Sequence, residues 1–151
     1  MAMKLDMSKT YDQVEWGFID LMVVKMGFSE KWQNLIMNCI STISYSVRLN
    51  GEFFGNIKPS RNLRQCDHLS LYLFLICTEG LSSLIRGAQE RGEIIRFKSC
   101  MSGPTILHIF FADDSLLFTR ADSSNCQAIC RIMRNYYEDS GQLVNFNKST
   151  I

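Results

Sequence analysis

The sequence predicts an α+β fold in which an antiparallel sheet carries helices packed on one of its faces. Three observations predict it. Apolar residues switch between strand-like and helix-like periods in the order β-α-α-β-β-α-β-β-β-α-β. Asn50-Gly51 stands between two short strand-forming runs, the signature of a hairpin closed by a type I′ turn. Two segments rich in Ile, Leu and Phe flank an acidic pair, Asp113-Asp114, which places that pair at a second hairpin tip.

The elements follow in order. Residues 1–7 alternate apolar and polar side chains and read as a strand ending near Asp6. Val14 to Met26 reads as a helix with Phe18, Leu21, Met22 and Met26 on one face and Gly27 at its C-terminal end. Ser29 is placed to cap a second helix, Glu30 to about Ile43, with Trp32, Leu35, Ile36, Cys39 and Ile40 as its apolar stripe. The hairpin pairs Tyr45–Leu49 with Glu52–Ile57, and the polar, basic segment 58–65 follows. A long helix runs from about Leu69 to Glu90; its first half is apolar nearly all round, which predicts burial. Glu93–Lys98, Ile106–Phe111 and Ser115–Thr119 read as strands. Ser123 or Ser124 caps a helix that ends at Ser140-Gly141, and Leu143–Phe146 reads as a last strand.

The chain has 151 residues, 46% of them hydrophobic and 21% charged. That fits one folded domain and excludes a disordered chain. A net charge of +1 means that any polyanion contact must come from a local basic cluster. Of the six cysteines, Cys39, Cys77, Cys126 and Cys130 fall in apolar helical patterns, and no Cys-x-x-Cys pair occurs. They read as reduced thiols, with Cys126 and Cys130 as small core residues, so an intracellular protein of nucleus or cytoplasm is expected. The start is charged too early for a signal peptide, and the longest apolar run, Leu71 to Cys77, is too short to span a bilayer. No membrane partner is expected. Both ends read as cuts through a larger fold.

The chemistry sits in the acids. A single turn aspartate needs no explanation. Two adjacent carboxylates between apolar strands repel each other unless a cation or solvent compensates. Asp6 offers a third carboxylate, also at a strand end. Hard oxygen donors of this kind suit two Mg²⁺ ions, with Mn²⁺ as an alternative, in a phosphoryl-transfer site.

The words around these acids are specific. Leu5-Asp6-Met7-Ser8-Lys9-Thr10-Tyr11-Asp12 resembles motif A of reverse transcriptases, and Phe111-Ala112-Asp113-Asp114 resembles their motif C, the (F/Y)xDD box. Leu63-Arg64-Gln65-Cys66-Asp67-His68-Leu69-Ser70 is similar to motif B, and Gly141-Gln142-Leu143-Val144-Asn145-Phe146-Asn147-Lys148-Ser149 to motif D. Order and wording resemble the polymerases of plant LINE-type (non-LTR) retrotransposons over the whole chain. The resemblance implies a polymerase palm, a reverse-transcriptase-like fragment that copies RNA into DNA from an RNA template, a DNA primer and dNTPs. It implies metal binding by Asp6, Asp113 and Asp114. It places Tyr11 at the position whose ring blocks a ribose 2′-OH, Gln65 against the incoming nucleotide, and Lys148 as proton donor to the departing pyrophosphate. Core packing of Tyr11 is compatible with that role, while Gln65 and Lys148 also read as solvated side chains. Asp12 reads as structural. Lys58, Arg61 and Arg64 are candidates for nucleic-acid phosphates, and a solvated loop face fits them equally.

Motif B departs from the family pattern. Cys66 stands where the family has Gly, and His68 and Leu71 where it has Pro. A Cβ at position 66 narrows the approach of nucleotide or template, and loss of the prolines loosens the turn. Cys66-Asp67-His68 is not a nucleophile set, because adjacent side chains rarely converge. The fingers that precede motif A in the family and the thumb that follows motif D are expected to belong to a longer polyprotein. Weak or no polymerase activity is therefore expected of the isolated chain. The rival readings are a catalytically dead remnant or nucleic-acid-binding module of the same lineage, and, far behind, a metal-dependent nuclease or phosphatase.

Overall fold

A computed structural model describes residues 1–95, 97–98, 105–111 and 114–150. The elements are β1 (Ala2–Ser8), α1 (Trp16–Lys25), α2 (Glu30–Ser41), β2 (Tyr45–Leu49), β3 (Glu52–Ile57), α3 (His68–Glu90), β4 (Phe97–Lys98), β5 (Thr105–Ile106), β6 (His108–Phe111), β7 (Asp114–Phe118), α4 (Ser123–Ser140) and β8 (Leu143–Val144). Four strands form an antiparallel sheet in the order β6-β7-β1-β8, while β2-β3 and β4-β5 are separate two-stranded ribbons.

Alternation along β1 decides which side of the sheet is covered. Met3, Leu5 and Met7 are buried, and Lys4, Asp6 and Ser8 project the other way. The buried side meets Phe18, Ile19 and Val23 of α1, Phe74, Cys77 and Leu81 of α3, and Ile129, Ile132 and Tyr136 of α4 in one core. The expected α+β architecture, helices on one sheet face, is the observed one. Gly80 lets α3 approach α1, since a Cβ there would lie 2.8 Å from Phe18 Cζ.

Several local expectations shift. In α1 the buried stripe is Phe18, Ile19, Met22 and Val23, with Leu21 and Met26 exposed, because the sheet and α3 lie on the Ile19 side. In α2 only Ile36 and Ile40 are buried; Trp32 and Leu35 face outward. The first half of α3 is covered on one side only: Tyr72 is 64% exposed, and Leu71 and Leu75 are exposed with it. At 23 residues α3 matches a membrane span in length and composition, yet Leu73, Phe74, Cys77 and Leu81 pack into the core.

Residue 122, not 123 or 124, caps α4. The Asp122 carboxylate accepts from the Asn125 backbone N–H at 2.8 Å and from the Asn125 amide. The expected strand 106–111 divides at Leu107, because Ile106 pairs with Phe97 while His108–Phe111 pair with β7. The strand expected from Glu93 is confined, among the described residues, to Phe97–Lys98. The last strand stops at Val144, where its pairing with Met7 and Ser8 ends. Of the cysteines, Cys77 is in the core, whereas Cys39 and Cys130 are exposed and Cys126 is half-buried. A helical pattern alone does not say which face finds a partner.

Candidate functional site

The open face of the sheet is built by register. In the β1-β7 ladder Asp6 pairs with Asp114, and in β6-β7 Phe111 pairs with Asp114. Directly opposed residues of antiparallel strands share a face, with Cβ atoms about 4.5–5.5 Å apart. The two carboxylates therefore stand side by side at one end of the sheet. Lys4, two residues before Asp6 and on the same face, places its ammonium 2.9 Å from Asp114 Oδ2. Asp113, the third expected carboxylate, lies outside the described residues. Among the described residues no three His, Cys, Asp or Glu side chains gather. Two hard oxygen donors on one face, with a cation already against one of them, form a donor set suited to a divalent ion rather than a soft-metal site.

The segment that carries Lys148 is tied to this strand end by its backbone. Asn145 N–H donates to the Asp6 carbonyl at 2.8 Å, and Asp6 N–H donates to Ser149 Oγ at 3.2 Å. Lys4 and Thr150 exchange backbone bonds at 2.8 and 2.9 Å. Lys148 sits on the turn between these anchors, with its side chain exposed.

Tyr11 and Gln65 come together on the far side of the turn after β1. Leu63 N–H donates to the Tyr11 carbonyl at 2.8 Å, Asn62 N–H to the Val14 carbonyl at 3.0 Å, and Trp16 Nε1 to the Asn62 carbonyl at 2.7 Å. These bonds lay segment 61–65 along segment 11–16. The Tyr11 ring packs on Phe74 with centroids 5.1 Å apart, so the packing role expected of it is present. Tyr11 also lines a cleft of about 440 Å³ together with Gln65, Cys66, Asp67, His68 and Leu71. Gln65 Nε2 approaches Asp12 Oδ1 at 3.5 Å. Cys66 has φ +65°, a left-handed conformation that disfavours any residue with a Cβ. Its position is the one where the family pattern has Gly. The turn into α3 is nonetheless capped: the Asp67 carboxylate accepts from Leu69 N–H at 3.0 Å. His68 is the first helical residue, where a proline would have lacked only an orphan N–H.

The basic cluster is less unified than its spacing implies. Arg61 pairs with Glu15 at 3.5 Å, while Lys58 and Arg64 are exposed on the same loop. An exposed pair of this kind is weak, about 0–1 kcal/mol, and leaves Arg61 able to exchange partners.

Two groups of residues escape sequence reasoning. Lys4 was readable in principle from its two-residue offset from Asp6. The second group is a buried polar cluster of Tyr136, Ser140 and Gln142. The Tyr136 hydroxyl donates to Gln142 Oε1 and, at 3.2 Å, is also within reach of the Cys77 carbonyl. Gln142 Nε2 donates to the Thr10 carbonyl at 2.9 Å. Burial pushes the Tyr136 phenol well above its ordinary range and the Cys77 thiol up to about 12. No local pattern links Thr10 with residue 142.

Comparison with known proteins bears on both fold and family. The chain is similar to a telomerase from Candida Tropicalis solved with a fragment of telomeric RNA: TM-score 0.75, 14% identity, covering 99% of this chain and 25% of that one. An apo telomerase from the same organism, truncated from its C-terminal domain, gives a TM-score of 0.66 at 13% identity, covering 99% of this chain and 30% of that one. At that identity the likeness shows a shared palm-like fold. An uncharacterized mitochondrial protein of Arabidopsis thaliana is 49% identical over 67 residues, 44% of this chain and 55% of that protein. The match thus spans about half the length of that curated relative. The family described as reverse transcriptase (RNA-dependent DNA polymerase) matches residues 1–151, and the chain belongs to the reverse transcriptase family.

Proposed function

We propose that this chain is the palm segment of an RNA-directed DNA polymerase from a plant LINE-type (non-LTR) retrotransposon. The observation that carries the reading is the Asp6–Asp114 register pair, which sets motif A beside motif C in a chain that matches the family from end to end. In the reaction a primer 3′-oxygen attacks the α-phosphorus of a dNTP in line, the 3′-hydroxyl proton is lost, and pyrophosphate leaves. Members of the family use divalent metal ions, taken here as two Mg²⁺, which when bound neutralise triphosphate charge and lower the pKa of the attacking hydroxyl. Asp6, Asp113 and Asp114 would hold them. Tyr11 bounds the sugar site and rejects a 2′-OH. Gln65 meets the nucleotide in the adjoining cleft, and Lys148 delivers a proton to the pyrophosphate. Lys58, Arg61 and Arg64 contact phosphates of template or primer. Fingers and thumb come from the rest of a longer polyprotein, and the site of action is nuclear or cytoplasmic.

A second reading, a catalytically inactive nucleic-acid-binding remnant, draws on two observations. Lys4 already neutralises Asp114 in an ion pair at 2.9 Å, and Cys66 adds a strained side chain to the Gln65 cleft. Primer extension on an RNA template with dNTPs and Mg²⁺ or Mn²⁺ separates the two. Weak or no extension is expected, and any extension falls by roughly 10²–10³-fold in Asp113→Asn, the scale of losing one preorganised electrostatic group. Activity indifferent to Asp113→Asn defeats the site assignment. No extension, together with Mn²⁺ binding absent from wild type and Asp113→Asn alike, establishes the inactive reading.

A further inference from the structure

We infer that Gln142 is a positioning residue for Tyr11, holding the sugar-discriminating ring from the motif D side of the fold. The role of Tyr11 in sugar selection rests on the proposed function; the positioning itself rests on geometry. Tyr11 sits in the turn between β1 and α1, and both peptide carbonyls around it are engaged. The Thr10 carbonyl accepts from Gln142 Nε2 at 2.9 Å, and the Tyr11 carbonyl accepts from Leu63 N–H at 2.8 Å. The first bond comes from the motif D segment and the second from motif B.

Gln142 is itself held on every side. Its side chain is 1% exposed. Oε1 accepts from the Tyr136 hydroxyl, and its backbone N–H donates to Ser140 Oγ at 3.2 Å. Ser140 also offers its carbonyl to Glu15 N–H at 3.0 Å, which ties the far end of the same turn. Gly141 permits the approach: its φ is +76°, and a Cβ there would lie 2.4 Å from the Gln13 carbonyl oxygen. Residues 140–142 thus form a seat for residues 10–15. A buried amide with both ends satisfied is a rigid strut, because release of either end leaves an unpaired polar atom in the core.

The Tyr11 ring is supported by Phe74 and lines the Gln65 cleft, so its remaining freedom is toward that cleft. Loss of the Gln142 bond frees the Thr10 carbonyl and lets the Tyr11 backbone drift relative to Phe74. Displacements of about an ångström change discrimination in a positioned site by large factors.

Fluorine NMR on the 151-residue chain labelled with 3-fluorotyrosine at its five tyrosines tests this. Tyr11→Phe assigns the resonance. Gln142→Met keeps the side-chain length and removes the amide; it is expected to shift or broaden the Tyr11 signal while exposed Tyr72 stays put. Tyr136→Phe keeps the Gln142 donor but removes one of its anchors, and a smaller shift of Tyr11 is expected. An unmoved Tyr11 signal in Gln142→Met overturns the inference. If Gln142→Met does not fold, an unmoved signal in Tyr136→Phe does so. Where wild type extends primers, Gln142→Met is expected to lower the preference for dNTP over rNTP roughly tenfold, through a lower KM for rNTP. A moved Tyr11 with unchanged preference overturns the link to sugar selection. In a wild type without extension, the fluorine signal alone decides the positioning.

Discussion

The seat formed by residues 140–142 and the hairpin β2-β3 are both short, turn-centred pieces, and they are stabilised in opposite ways. In the seat, Tyr136, Ser140 and Gln142 are buried, and their polar atoms bond to Thr10, Glu15 and Cys77, all distant in sequence. In the hairpin, Asn50 at φ +51° and Gly51 at φ +93° form the expected turn, and the strands pair from Leu49 with Glu52 to Tyr45 with Ile57, with a register shift between Tyr45 and Val47. Yet Val47, Leu49, Phe53, Phe54 and Ile57 are all exposed, Phe53 by 73%. A hairpin can be specified by its own turn; a seat exists only when distant segments arrive. The difference teaches where mutations should be felt and where they should not.

The largest expected effect is at the seat. Gly141→Ala combines a positive φ with a Cβ driven against the Gln13 carbonyl. A loss of about 3 kcal/mol or more is expected in urea unfolding, the range of clash plus backbone strain. A loss below about 1 kcal/mol would mean that the two turns do not touch as described.

Tyr136→Phe comes next. It strips a buried hydroxyl from the Gln142 and Cys77 oxygens and is expected to destabilise by about 1–3 kcal/mol. Equal stability of Tyr136→Phe and wild type would remove the polar cluster from the account of the fold.

Cys66→Gly should act in the other direction. Relief of the left-handed conformation at φ +65° is expected to stabilise by about 1 kcal/mol, less the entropy that glycine gains in the unfolded chain. A destabilised variant would show that the Cys66 side chain packs rather than strains.

A smaller, pH-dependent effect belongs to His108. Burial, and then the Arg86 charge, lowers its pKa, so the folded state favours the neutral ring. Its Nε2 lies 2.9 Å from Ser82 Oγ, while Nδ1 is buried without a partner. A depressed folded pKa contributes stability above the unfolded value and loses it as pH falls through the folded one. Stability should therefore decline below about pH 6.5, the ordinary histidine value, and His108→Gln should flatten that decline. An unchanged slope in the variant would assign the decline to other groups.

The smallest effect is expected in the hairpin. Phe53→Ser removes an exposed ring whose described contact is Arg48, 5.7 Å from its centroid, and should change stability by no more than about 0.5 kcal/mol. A loss as large as that of Tyr136→Phe would show the hairpin covered in solution and erase the contrast between the two regions.

Much of the fold was legible in local patterns because it rests on local physics. Alternation in β1 separates Met3, Leu5 and Met7 from Lys4 and Asp6 whatever the surroundings, and Asn50-Gly51 closes its hairpin unaided. The candidate roles of the acids and of Tyr11, Gln65 and Lys148 rest on their motif words. The outer side of α3 was misread for a physical reason: apolar composition states what a helix can bury, and neighbours decide what it does bury. The cysteines on α2 and α4 were misread in the same way.

By itself the sequence determined most of the elements, the Asn50-Gly51 turn and membership in the reverse transcriptase family, since each is carried by short-range periodicity or contiguous motif words. The pairing of Asp6 with Asp114 is instead a long-range register that the closed sheet decides. Tertiary structure alone decided that Lys4 stands on Asp114 and that Tyr11 is backed by Phe74. It alone set Gln142 beneath the Thr10 carbonyl, 132 positions away in the chain. Such contacts depend on strand register and helix placement, which settle only when the whole core closes.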